Sequence, residues 1–127
     1  MLSQYLAQIR ALLDSYSRPA FVLDVNVNSE VRPGDQAYLS GVITFVDGSE
    51  LHFAEFLDAS SQTVEKLMYR YHYQDRAGQL AFRYDNARHQ PPMLSSSHKH
   101  LPEQVAASTI PALEDVLAEI TVVMGWV

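Results

Sequence analysis

The sequence predicts a single α+β domain over residues 1–127: a five-stranded antiparallel meander with an N-terminal and a C-terminal helix packed on one face. Three observations carry this prediction. Leu2, Tyr5, Leu6, Ile9, Leu12 and Leu13 recur at three- and four-residue steps, the stripe of an amphipathic helix. After Pro19 the apolar period falls to two, the mark of half-buried strands, and short turn signals separate five such segments. Leu113, Val116, Leu117 and Ile120 then restore helical spacing. Connections this short favour antiparallel neighbours, since a parallel pair needs a long crossover.

Each element has a local reason. Proline disfavours a helical residue ahead of it, so Arg18-Pro19 ends the first helix. In the first strand Phe21, Leu23, Val25 and Val27 alternate with Val22, Asp24, Asn26 and Asn28. Pro33-Gly34-Asp35 turns the chain into a second strand, Ala37 to Val46. Asp47-Gly48 is a hairpin signal, and a third strand follows from Glu50 to Leu57. Past Asp58-Ala59-Ser60-Ser61, a fourth strand covers Val64 to Tyr73 and a fifth Gln79 to Asp85. Residues 86–103, with Pro91, Pro92, Pro102 and three consecutive serines, read as an irregular loop. Ser108 or Thr109 can cap the last helix, with Pro111 in its first turn, where the missing N–H costs little.

Length and composition suit one hydrophobic core: 127 residues, 47% hydrophobic and 19% charged. The absence of cysteine excludes disulfides, thiolate catalysis and cysteine-ligated zinc. No apolar run reaches the roughly 18 residues of a membrane-spanning helix. No basic region leads into an apolar stretch as in a signal peptide, so a cytoplasmic protein without membrane contact is expected. The net charge of −6 argues against nucleic acid, yet the charge is unevenly placed. Residues 66–100 hold six Lys and Arg against Asp75 and Asp85, a balance of +4, and the remainder carries −10. That window also holds four of the five histidines and four of the seven tyrosines, so the polar chemistry is concentrated there.

The last two strands can be paired explicitly. With Asp75-Arg76-Ala77-Gly78 as the loop, Tyr73 faces Leu80, Tyr71 faces Phe82 and Tyr69 faces Tyr84, all on an apolar face. The other face sets His72 against Ala81, Arg70 against Arg83 and Met68 against Asp85. Opposed arginines repel unless an anion or a carboxylate lies between them, a role open to Asp85, Glu55 or a phosphate. The plain alternative is an ordinary solvated sheet face with a weak salt network. For the four tyrosines, core packing is favoured over base stacking.

The 86–103 segment adds Asn86, Arg88 and His89, and then Lys99 flanked by His98 and His100. Imidazoles titrate near neutrality and stand here beside permanent cations. Cleaving RNA through its own 2′-hydroxyl needs a base, an acid for the leaving oxygen and cations on the phosphate, all available without a metal. His98 and His100 would also project to one side of an extended segment, where His72, His89 or Asp85 could complete a metal site. Lys99 and the nearby arginines oppose a bound cation. Glu55 shares the parity of Leu51, Phe53 and Leu57 and is therefore placed to point inward, where a carboxylate is costly unless paired.

Tyr71-His72-Tyr73-Gln74-Asp75, the run from Leu80 through Arg83, Tyr84, Asp85 and Asn86 to Arg88-His89, and the later His98-Lys99-His100 together resemble the TumE family of small bacterial toxins. The hairpin from Phe45 to Phe56 and the closing helix from Ile110 to Ile120 fit the same pattern, and the likeness covers most of the chain from Ser40 onward. The resemblance implies a toxin of a type II toxin–antitoxin pair, neutralised by a DNA-binding antitoxin protein and acting on RNA. It carries over to His72, Arg83, Asp85, Asn86, His89, His98, Lys99 and His100, with Glu55 matching a carboxylate in the third strand. The family often has a second histidine after His89, where this sequence has Gln90.

The expectation is therefore a growth-inhibiting toxin with metal-independent endoribonuclease activity and no cofactor. His72, Arg83, Asp85, His98, His100 and Glu55 are its candidate catalytic residues; Arg70, Asn86, Arg88, His89 and Lys99 are its candidate substrate-binding residues. A non-catalytic binding module using the basic strip and a histidine-ligated metal-dependent hydrolase remain as alternatives. The apolar tail Met124-Gly125-Trp126-Val127 fits either a homodimer interface or packing on its own domain.

Overall fold

A computed structural model of the chain describes residues 1–87 and 97–126. Helix α1 (Leu2–Tyr16) leads into strands β1 (Val22–Arg32), β2 (Gln36–Phe45), β3 (Glu50–Asp58), β4 (Glu65–Gln74) and β5 (Leu80–Asp85). Strands β6 (His98–Leu101) and β7 (Gln104–Ala107) and helix α2 (Leu113–Val123) follow. The strands form one open antiparallel sheet in chain order, β1 to β7. The α+β class and the meander agree with the sequence pattern, but the sheet has seven strands and not five. The two extra strands escape periodicity for a physical reason. His98, Lys99 and His100 are polar at both parities, and β7 lies exposed at the sheet edge, so neither strand shows an apolar alternation.

Both helices bury their stripes in one cluster with the same sheet face. Ile9 and Leu13 of α1 and Leu113, Val116, Leu117 and Ile120 of α2 pack with Leu39, Ile43, Phe45, Leu51, Phe53, Tyr71 and Phe82. Gly41 permits one close approach in this core. A Cβ there would fall 2.6 Å from the Phe53 ring and 2.7 Å from the Asn26 carbonyl oxygen. Trp126 stacks on Phe21 and on Phe45, each at 5.3 Å between ring centroids, so this part of the tail packs on its own domain. Val127 lies outside the described residues.

Helix α2 starts later than the Ser108/Thr109 expectation, with Ala112 as its N-cap. Ser108 donates its N–H to the Ser97 carbonyl at 3.0 Å, which holds the chain extended just beyond β7. The Ala112 N–H is satisfied instead by the Asp115 carboxylate at 3.0 Å.

The β4–β5 hairpin is displaced by two residues from the expected register. Tyr71 faces Tyr84, Tyr73 faces Phe82, His72 faces Arg83 and Arg70 faces Asp85. Two one-residue steps produce this. The loop closes through Asp75 N–H on the Gln79 carbonyl, and a bulge follows between the Tyr73 and Gln74 pairs. Two single steps restore the original parity, so the tyrosines stay on the core face while every neighbour changes. Ala81 joins the core in place of Leu80. The opposed arginines do not occur, because each arginine faces a different partner.

Candidate functional site

The register places the open face of the sheet in two transverse rows. One runs Asn26, Val42, His52, His72, Arg83, His100 and Val105 across β1 to β7. Beside it run Asn28, Ser40, Ala54, Arg70, Asp85, His98 and Ala107. At the usual strand spacing the first row covers about 24 Å from β1 to β6. His72, Arg83, Asp85, His98, His100 and Arg70 are thus brought to one surface, four of them on β5 and β6 alone.

Asp85 organises this surface. Arg83 donates Nε–H to Asp85 Oδ2 at 2.7 Å, and His100 Nε2 lies 3.1 Å from Oδ1. His98 Nδ1 stands 3.9 Å from the same Oδ1. Asp85 is 4% exposed and His98 2%. Burial pushes the Asp85 carboxyl up, but the hydrogen bonds from Arg83 and His100 outweigh it and hold the group below the usual carboxylate range. Arg83 also reaches His72, with its terminal nitrogen 3.4 Å from Nδ1. Burial and the Arg83 charge push the His72 imidazole down from its ordinary value, so the ring is neutral at pH 7. His52, which the sequence reading passed over, stands opposite His72 with ring centroids 6.5 Å apart. Its open-face parity in β3 was visible in the sequence; its alignment with His72 required the β3–β4 register. Next to it, Asn26, Asn28, Ser40, Val42, His52 and Arg70 line a shallow hollow of about 280 Å³.

Other expected site residues lie elsewhere. Glu55 is fully buried on the helix-covered face, on the far side of the sheet from the histidines. It accepts the Tyr5 hydroxyl at 2.5 Å and the Tyr71 hydroxyl, and Lys66 Nζ lies 3.5 Å away. Lys66 also donates to Tyr71 Oη at 2.6 Å and to the Pro111 carbonyl at 2.8 Å. Burial pushes the Lys66 ammonium down, with Glu55 opposing. Lys99 has the opposite parity from its flanking histidines. It bonds Glu119 of α2 at 2.7 Å and lies 5.0 Å from the Tyr84 ring centroid. Asn86 continues the β4 pairing with its side chain: Nδ2–H donates to the Leu67 carbonyl at 3.0 Å and Oδ1 accepts the Tyr69 N–H at 3.1 Å. Arg88 and His89 lie outside the described residues.

Among the described residues, Asp85, His98 and His100 form the one group of three possible metal ligands, one ligand atom from each lying within 4.8 Å of the others. Among the same residues no helix is long and apolar enough to cross a membrane. The family model described as Toxin TumE matches residues 9–124 of the chain. No curated protein and no solved structure matches it significantly.

Proposed function

This chain belongs to the TumE toxin family, and on that premise we propose that it is the toxin of a toxin–antitoxin pair and cleaves RNA without a metal ion. The observation that supports this reading is the row His72, Arg83, His100, in which one arginine lies between two imidazoles on neighbouring strands. Cleavage by the 2′-hydroxyl forms a new P–O2′ bond and breaks P–O5′. It needs a base and an acid on opposite sides of the phosphorus. The two histidine backbones stand two strand spacings apart, about 10 Å, leaving room for a phosphate over Arg83.

His72 is the base in this reading. Its ring is neutral at pH 7, and its long contact with Arg83 gives way when the phosphate takes the guanidinium. Nδ1 then accepts the 2′ proton. Protonated His100 keeps Nε2–H on Asp85 and donates Nδ1–H to O5′, leaving a 2′,3′-cyclic phosphate and a 5′-hydroxyl. Asp85 fixes both Arg83 and His100, and Arg70 and the adjoining hollow hold flanking nucleotides. Glu55 and Lys99 serve the core and the α2 contact in this scheme. The toxin acts in the cytoplasm and is held inactive by a DNA-binding antitoxin.

The test is cleavage of RNA by the chain purified free of antitoxin, in the presence of EDTA, with end-group analysis. Cyclic-phosphate ends are expected, with a loss of about 10²-fold or more in His72→Asn and in His100→Asn. Activity unchanged in both variants, or abolished by chelation, overturns the reading. Growth inhibition that survives both histidine variants but is lost in Arg83→Ala would point to a non-catalytic binding module instead.

A further inference from the structure

The two oxygens of Asp85 face different partners. Oδ2 takes the Arg83 Nε–H at 2.7 Å, whereas Oδ1 lies 3.1 Å from His100 Nε2 and 3.9 Å from His98 Nδ1. We propose that Asp85 Oδ1, His98 and His100 form a binding site for one divalent transition-metal ion, zinc in particular, and that the ion shuts the cleavage site described above.

Three independent features point to this ligand. The donor set is two imidazoles and one carboxylate, a combination that suits zinc, while magnesium and calcium favour oxygen ligands and retained water. The spacing is also right. Zinc bonds of roughly 2.0–2.1 Å at tetrahedral angles set ligand atoms about 3.3 Å apart, so the observed separations need only small side-chain adjustments. Finally, the backbone holds all three ligands on one face. His98 is the direct cross-strand partner of Asp85, and His100 is two residues further along the same strand.

Arg83 supplies the outer support. By occupying Oδ2 it fixes the carboxylate with Oδ1 toward the two rings, the role that hydrogen-bond donors behind metal ligands usually play. Its charge also offsets that of Asp85, so the site binds zinc reversibly and not as a permanent structural ion. The consequence for cleavage rests on the proposed function. The ion takes His100 and Asp85 Oδ1, which removes the proton donor together with the oxygen that orients it.

The experiment uses tag-free chain stripped with EDTA and dialysed. Calorimetric titration with zinc chloride is expected to give one ion per chain. Titration with cobalt chloride is expected to give the visible bands of a four- or five-coordinate nitrogen and oxygen site. The cobalt spectrum needs no variant, so a variant that fails to fold does not block the test. Zinc affinity is expected to fall at least tenfold in His98→Asn and His100→Asn and to be unchanged in His52→Gln, which removes a histidine of the same face outside the triad. One equivalent of zinc is expected to slow RNA cleavage, and EDTA to restore it. No saturable one-to-one binding, or binding untouched in the folded His98→Asn and His100→Asn variants, overturns the site. Zinc that accelerates cleavage overturns its inhibitory role. One-to-one binding through these residues in a chain that cuts no RNA under any condition supports the site and sinks the cleavage reading.

Discussion

Arg83 and Asp85, two residues apart on one strand, share a face of the sheet and are joined by a 2.7 Å bond from Nε to Oδ2. The pair converts a buried carboxylate into an anchor. Without the guanidinium, Asp85 would carry its charge at 4% exposure with, among the described residues, only the His98 and His100 imidazoles within 4 Å of its oxygens as ionic partners. Replacing Asp85 by Asn keeps the shape and removes the charge. The expected cost is about 1–3 kcal/mol of stability, measured by denaturant unfolding, with a larger proportional loss of RNA cleavage. Asp85 titrates below its unfolded value of about 3.9, so its stabilisation is present above that pH and disappears as pH falls through the folded value. The difference between wild type and Asp85→Asn is therefore expected to shrink below about pH 4.

His72 sets the acid side of the pH profile. Its proton affinity is lowered by burial and by Arg83, Arg70 and His52 around it, with Gln74 opposing. A base must be deprotonated, so cleavage is expected to fall on acidification at a pH below the roughly 6.5 of a free imidazole. In Arg83→Gln that limb is expected to move upward, because one of the charges disfavouring the imidazolium is gone. A limb that stays put in this variant would detach His72 from the proton transfer.

Arg70 and Lys99 provide a paired comparison of the two sheet faces. Arg70 is exposed on the histidine face, opposite Asp85, whereas Lys99 is bonded to Glu119 under α2. Arg70→Ala is expected to weaken RNA binding and reduce the slope of log affinity against log salt by about 1. Lys99→Met is expected to leave that slope unchanged and cost about 0.2–1 kcal/mol of stability. Filter-binding titrations across a salt series, with thermal unfolding of each variant, measure both.

The Glu55 cluster is expected to matter for folding alone. Glu55→Gln leaves Lys66 without its charged partner at 13% side-chain exposure, a loss of about 3 kcal/mol. Cleavage per folded molecule is expected to stay within about twofold of wild type, since no hydrogen bond links Glu55 to the histidine face among the described residues. The same cluster fixes the alkaline limit. Burial, with Glu55 beside them, raises the Tyr71 and Tyr5 hydroxyls above the ordinary 10. Their stabilisation is whole below pH 10 and is lost as pH rises toward the folded values, by about 1.4 kcal/mol per pH unit for the more buried Tyr71. Phenolate absorbance should therefore show these two titrating only together with unfolding.

Much of the site was legible before any tertiary information. Parity alone assigned Tyr69, Tyr71, Tyr73 and Phe82 to the core and Arg70, His72, Arg83 and Asp85 to the opposite face. That assignment survived a two-residue error in register because side chains repeat with period two. The +4 window was likewise real, though it divides between two faces. Arg83 joins the histidines, while Lys66 and Lys99 turn toward the helices.

The sequence by itself therefore determined the class, the first five strands, both helical stripes and the face taken by most strand residues. These follow from local periodicity and turn chemistry, and they hold whatever the strands pair with. The exceptions are local: irregular pairing in β1 leaves Val22 buried and Leu23 exposed, and Ala81 replaces Leu80 in the core. Only the tertiary structure decided that His72 meets Arg83, that Asp85 meets His98, and that residues 98–107 form the sixth and seventh strands. The last two rest on strands that lack an apolar alternation, and the first on where a loop closes and on one bulged residue. Each shifts the pairing by a single step and leaves too little imprint on composition to be read from the chain.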